Sequence, residues 1–228
     1  LGAGTALGIW ILVSGQLIDL SLVTELMQRR ERFAGELANH LWITCLSVGI
    51  STLAGIPLGF AVLRRRWLRE KAFFVLNIVQ TIPSLALFGL LIAPLAFLGT
   101  AVPLLRELGL QGIGWTPAII ALSLYGMLPV VRNTYTGFAG VEPELVEAGK
   151  GMGMSRVQLL FLVELPTALP IVLGGLRIAF VQNVGNTAVA ALIGAGGLGV
   201  FIFQGLGQSA LDLIMLGALP TILLAVAV

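Results

Sequence analysis

Long apolar runs separated by short polar stretches dominate the chain. A spanning helix needs about 20 mainly apolar residues. Runs of that kind occupy residues 1–18, 41–63, 72–98, 117–131 (running on toward Tyr135), 167–192 and 211–228. The pattern predicts an all-α membrane protein of about six transmembrane helices. The third run is long enough to hold a kink, and Pro83 and Pro94 lie within it. Residues 194–208, GAGGLGVFIFQGLGQ, are apolar but short and glycine-rich. They predict a re-entrant or interfacial hairpin, not a seventh span. Such backbone survives at membrane depth only when buried in protein or lining a cavity.

Composition sharpens this. Of the 228 residues, 57% are hydrophobic and 11% charged, against about 25% charged in a soluble domain. A water-soluble enzyme is excluded, and the abundance of Leu, Ile, Val and Phe excludes disorder. A net charge of +2 argues against nucleic acid as a partner. Cys45 and His40 are the only residues of their kinds. No disulfide framework, no metal site and no catalytic constellation is expected. The chain opens on Leu1 and stops within an apolar run, so further residues are expected at both ends.

Orientation follows the Lys/Arg bias of short loops. The stretch RRRWLREK holds Arg64, Arg65, Arg66, Arg69 and Lys71 and is expected to be a cytoplasmic loop. Alternation then puts 132–166 inside, with Arg132, Lys150 and Arg156. The loops 19–40 and 99–116 fall outside, with Arg29, Arg30, Arg32 and Arg106 partly balanced by Asp19, Glu25, Glu31, Glu36 and Glu107. Trp42 and Trp115 mark the outer boundary and Trp67 the inner one.

The polar exceptions inside the spans are few. Arg177 lies about ten residues into its run. An arginine at a helix centre costs about 2.5–3.5 kcal/mol on insertion scales, so it should face protein or water. Asp212 begins the last run, and no Asp or Glu sits mid-span. The chain therefore lacks the acidic relay of an ion-coupled secondary transporter, the competing reading. Asn77, Gln80, Thr81 and Ser84 recur every three or four residues on one helix face. Gln182, Asn183, Asn186 and Thr187 do the same, and Ser123, Tyr125, Asn133 and Thr134 lie on the span between. Together these stripes suit a translocation path, with Asn77, Gln80, Thr81, Ser84, Tyr125, Asn183, Asn186 and Thr187 as its lining. Taken singly, such residues also serve as interhelical hydrogen-bond glue. The small residues around Gly49–Gly55 and at Gly174 and Gly175 are expected to let backbones approach.

The long inside loop, 137–166, has its own architecture. Pro143 suits a first helical turn, and Glu142 and Glu144 suit a helix N-terminus. Gly149, Gly151 and Gly153 then loosen the chain. Ser155 is a good N-cap for a second helix over 156–165, and Pro166 opens the next span. Helix, glycine turn and helix make a compact knob, with Met152 and Met154 offering adaptable apolar contact. Pattern alone leaves two readings open: a docking surface for a cytoplasmic partner, or an amphipathic hairpin resting on lipid.

The knob resembles the cytoplasmic motif of ABC importer permeases, E-A-A-x3-G-x9-I-x-L-P. Glu147, Ala148 and Gly149 are followed at the right spacing by Gly153, then by Val163, Leu165 and Pro166. Gly149 replaces the second alanine and Val163 the isoleucine. QTIPSLALFG (80–89), LYGMLPVVRNTYTG (124–137), VEAGKGMGMSR (146–156) and NTAVAALIGAGGLG (186–199) resemble the osmoprotectant branch, which carries glycine betaine, choline, carnitine and related quaternary amines. Methionine-type importers share an AGGLG-like stretch. The likeness covers about 41–228, the core permease domain. Residues 1–40 show no family signature and are expected to form a first span plus outer loop.

The resemblance implies a type I importer permease fold in the bacterial inner membrane. It implies a coupling surface of Glu147, Ala148, Gly149, Met152, Gly153, Ser155, Arg156, Leu165 and Pro166. It implies two copies of an ATP-binding subunit, a second permease subunit (a copy or a homologue) and an extracytoplasmic binding protein. Mg-ATP would belong to the ATP-binding subunit, and this chain would bind no cofactor and perform no catalysis.

Overall fold

The computed structural model describes residues 22–102 and 112–228. The expected first span, and the stretch holding Arg106 and Glu107, lie outside the described residues. All regular structure among the described residues is helical. In chain order the helices are α1 (Leu22–Gln28), α2 (Arg30–Arg64), α3 (Arg66–Thr81), α4 (Ser84–Ala101), α5 (Trp115–Ala139), α6 (Pro143–Gly151), α7 (Arg156–Leu159), α8 (Leu165–Ala190), α9 (Gly199–Gln208) and α10 (Leu211–Ala227). Among the described residues, four stretches are long and apolar enough to cross a membrane: Arg30–Arg64, Ser84–Ala101, Trp115–Ala139 and Arg156–Ile193. The apolar helix α10, with 17 residues, accounts for the last expected span.

Helices α2, α5 and α8 pack together as the core. Their contact is made by small residues. A Cβ on Gly55 would lie 2.8 Å from Val130 Cγ1, and one on Gly175 would lie 2.8 Å from the Pro129 carbonyl oxygen. Gly49 and Gly174, grouped with them on sequence grounds, have open space around them. Apolar packing between the helices is seeded by Ile43, Leu122, Val130 and Val131, all buried. One seam is polar. His40, Thr44, Ser47 and Ser51 recur along one face of α2 and are buried. Thr44 Oγ1 meets Thr187 Oγ1 at 3.0 Å, and Ser51 Oγ lies 2.7 Å from the Ser123 carbonyl oxygen.

Three expectations need correction. The third apolar run is not one kinked helix. It breaks at Ile82–Pro83 into α3 and α4. Proline disfavours helical backbone at the residue before it, and Ile82 is extended (φ −74°, ψ 127°). Partners elsewhere in the chain satisfy the break: the Tyr125 hydroxyl donates to the Ile82 carbonyl, and Gln80 Nε2 donates to the Tyr125 carbonyl at 2.7 Å. Pro94, by contrast, sits inside α4 without ending it. Second, RRRWLREK is not a loop. Arg65 alone is extended between α2 and α3, and the rest is helical. Third, residues 30–40 are not loop but the first turns of α2. With 35 residues that helix is about 52 Å long, well beyond the hydrocarbon thickness of about 30 Å. A domain boundary at residue 40 therefore falls inside a continuous helix.

Residues 194–208 divide into a turn and a ten-residue helix, α9, which lies against α10. At about 15 Å it is too short to span. The two sets of interfacial markers separate as expected. Trp42 and Trp115 meet edge to face with ring centroids 5.7 Å apart. At the opposite end Arg64 shares a cavity with Lys150 and Arg156, so the basic cluster and the knob occupy one side of the molecule.

Candidate functional site

The knob is built from the inside out. α6 starts with Pro143 in its first turn and ends at Met152, whose N–H bonds the Ala148 carbonyl. The chain reverses at Gly153, which has φ +79°. Ser155 then caps α7 with a full capping box: its Oγ accepts the Gln158 N–H at 3.3 Å, and Gln158 Oε1 accepts the Ser155 N–H at 2.8 Å. Sequence reading found the cap but missed its partner, Gln158, three residues on. Gly149 faces inward. A Cβ there would lie 2.7 Å from Leu159 Cδ1, so the glycine that departs from the family motif brings α6 onto α7.

Most of the residues that the motif implies for coupling lie on the knob's outer surface, while Gly149 is buried. Glu147, Ala148, Gly153, Ser155 and Arg156 are exposed, and Met152 is 71% exposed. Leu145 and Val157 add apolar area beside them. Leu165 and Pro166 lie further along, at the start of α8. The second arm is not a separate helix, as the sequence suggested. α7 passes through one π-helical turn, Leu160–Glu164, into α8. A π turn keeps the backbone bonded while shifting the register of the faces. Pro166 directly follows the π turn, at the second residue of α8. Knob and span thus share one rod, Arg156–Ile193, of 38 residues.

The local prediction is direct. Ser155→Ala should cost about 1 kcal/mol of knob stability. Hydrogen exchange at the Gln158 amide should quicken roughly fivefold while exchange in α5 stays unchanged. Unchanged exchange at Gln158 would show that the capping box does not hold the turn.

At its far end the rod stops in a glycine turn. Ala191–Ile193 tightens to a 3-10 turn, and Gly194, Gly196 and Gly197 all have positive φ. The start of α2 grips this turn. Glu36 Oε2 accepts the Gly197 N–H at 2.6 Å, and Asn39 Nδ2 donates to the Ala195 carbonyl at 2.8 Å. The His40 ring bridges two segments, Nδ1 accepting the Leu198 N–H at 3.3 Å and Nε2 donating to the Val184 carbonyl at 3.1 Å. The sequence reading counted Glu36 as a loop charge and His40 as a lone histidine, and gave none of the three this role. Their partners lie about 150 positions away, and no local pattern reports such a bond.

The expected path residues split into two groups. Tyr125, Asn183 and Thr187 are buried within the chain's own packing. Tyr125 pins the α3–α4 break, and Thr187 pairs with Thr44. The side chain of Asn183 is fully buried beside Gly126, with neither polar atom bonded among the described residues. Asn77 and Thr81 are exposed, and Gln80, Ser84 and Asn186 are half-buried. Asn77 accepts from Arg132 at 3.3 Å, and Gln182 Nε2 donates to Gln80 Oε1 at 3.0 Å. Ser84 is not on one helix with Asn77, since the break intervenes. Asn77, Gln80 and Thr81 together with Gln182 therefore form a polar surface across α3 and α8, distinct from the buried seam.

Comparison with known proteins agrees with this architecture. Residues 51–228 match the family described as the binding-protein-dependent transport system inner membrane component. The osmoprotectant import permease protein OsmW of Salmonella typhimurium is 44% identical over 197 residues, covering 85% of this chain and 86% of that one. The glycine betaine/carnitine/choline transport system permease protein OpuCB of Bacillus subtilis is 41% identical over 187 residues, covering 82% and 79%. Among solved structures, an inward-facing MetNI methionine ABC transporter matches with TM-score 0.71 at 21% identity, covering 86% of this chain and 90% of that one. That likeness shows the fold alone, which is the type I importer permease fold expected from the motif. With a capped knob at one end, a gripped glycine turn at the other and a family match over most of its length, this chain belongs to the inner-membrane components of binding-protein-dependent transport systems.

Proposed function

We propose that the chain is the permease subunit of an ATP-driven importer for an osmoprotectant, namely glycine betaine, carnitine, choline or a similar quaternary amine. The names of its relatives support the substrate class. The observation that carries the mechanism is the continuous rod from Arg156 to Ile193. A partner that moves the knob moves α8 as a unit, and the displacement arrives at the glycine turn held by Glu36, Asn39 and His40. The ATP-binding subunit supplies that movement through the surface of Glu147, Ala148, Met152, Gly153, Ser155 and Arg156, with Gly149 buried behind it holding α6 on α7. Leu165 and Pro166 relay it into the span.

Two permease subunits and two ATP-binding subunits complete the pore, and an extracytoplasmic binding protein delivers substrate to its outer mouth. The second permease subunit would be a copy or a homologue. The polar surface of Asn77, Gln80, Thr81 and Gln182 lines the path, with Asn186 one turn further along α8. Mg-ATP stays with the ATP-binding subunit, and this chain contributes no cofactor.

Energetics test the reading against an ion-coupled carrier. Proteoliposomes holding the whole complex and its binding protein should take up glycine betaine only with ATP inside the partner's compartment, and an ionophore should leave the rate unchanged. Uptake that runs without ATP and collapses with the ionophore would overturn the reading.

A further inference from the structure

Arg177 is singled out in the spans, and neither the packing nor the coupling uses it. It stands in the middle of α8, roughly 18 Å from Leu165 and 20 Å from Ala190 at 1.5 Å per residue. Its side chain is exposed, and no hydrogen bond or ion pair joins it to the described chain. The distance to either helix end exceeds the reach of an arginine, so it cannot snorkel to an interface. A lipid-facing arginine at this depth is disfavoured. The α8 face that carries it must therefore border water or another subunit.

The neighbours narrow the choice. Arg177, Ile178, Val181 and Gln182 line an open groove of about 410 Å³ along α8. Gln182 is tied to Gln80, which places the groove beside the polar surface of α3 and α8. Among the described residues no acid lies at its depth: α4, α5 and α8 contain no Asp or Glu. The acids of α2, α3 and α10, namely Glu31, Glu36, Glu70 and Asp212, lie near helix starts. The described helices of a second copy would again bring no acid at mid-depth.

We infer that Arg177 is a specificity-determining residue of the path, receiving the carboxylate of a zwitterionic quaternary amine such as glycine betaine or carnitine. This rests on the functional reading above. The guanidinium offers a planar pair of donors to a carboxylate, and Ile178 and Val181 offer an apolar wall for methylated ammonium. Choline is a cation without a carboxylate, so it gains nothing from Arg177 and is repelled by it. The path then favours zwitterions over choline at a step after the binding protein.

The test is uptake of glycine betaine and of choline by the reconstituted whole importer, each with saturating binding protein. Arg177→Gln should lower glycine betaine uptake about tenfold, the scale of one charge-assisted contact, and leave choline uptake level or higher. Arg177→Lys keeps the charge and should restore most of the preference. Loss of both activities together, or no change in either, overturns the inference. So does an Arg177→Gln complex that fails to assemble, because a side chain at the path is not needed for folding. A wild-type complex that carries neither compound overturns the functional reading itself, and the inference with it.

Discussion

Gly153→Asp should leave the complex inserted and assembled, yet reduce ATP-dependent uptake about a hundredfold, the scale of losing about 3 kcal/mol at an interface centre. Gly153 turns the knob with φ +79°, and no atom lies within 4 Å of where its Cβ would be. The substitution therefore meets no clash, and aspartate tolerates the left-handed region at roughly 1–2 kcal/mol of strain. The fold survives, but a carboxylate now projects from the exposed tip between Met152 and Ser155. A partner subunit that closes over that tip must bury the charge unpaired. Gly153→Ala adds strain and one carbon without charge, so uptake should fall in the order Gly, Ala, Asp. Parallel assays of ATP hydrolysis should show turnover no longer stimulated by substrate-loaded binding protein. Full uptake with stimulated hydrolysis in the aspartate variant would mean the knob does not engage the motor.

How far the sequence carried this picture depended on the range of the interactions involved. The knob was legible because its determinants are local: Pro143 for a helix start, Gly153 for reversal and Ser155 for a cap lie within 13 residues of one another. Even there the reach was short. The π turn at Leu160–Glu164 leaves no compositional mark, so α7 and α8 read as two helices. The break at Ile82–Pro83 was visible as a proline but not as an end. Pro94 looks the same in the sequence and stays helical, and the difference is Tyr125, 43 positions away, which accommodates the free Ile82 carbonyl.

Polar periodicity has a related blind spot. It identifies a shared face and is silent about what that face meets. Asn183 and Thr187 lie on the buried seam, Asn77 and Thr81 on an open surface, and both pairs carry the same signal. His40, Thr44, Ser47 and Ser51 form as regular a stripe as any, yet were overlooked. Three of the four are small hydroxyl residues, which blend into an apolar run.

Gly199→Ala should be the most damaging single-methyl change in the described chain, lowering stability by about 3 kcal/mol or more. Gly199 opens α9 directly after the glycine turn and is buried. A Cβ there would overlap the Ala188 carbonyl oxygen and lie 2.6 Å from the Ala188 carbonyl carbon. Those atoms belong to the backbone of α8, so no rotamer change relieves the overlap. Relief requires α9 to move off α8, carrying with it Phe201, which is fully buried, and the α10 residues Leu213 and Leu216 packed around it. The turn gripped by Glu36, Asn39 and His40 would shift as well, because Leu198 supplies the N–H that His40 accepts. The purified variant should unfold at a clearly lower temperature in detergent, with a large loss of folded yield. Gly207→Ala is the control on the same helix. Its Cβ position is open, so the exchange should be neutral or stabilising by up to about 1 kcal/mol through helix propensity. If both variants melt like the parent, α9 is not seated against α8 as described, and the rod from knob to glycine turn ends without an anchor.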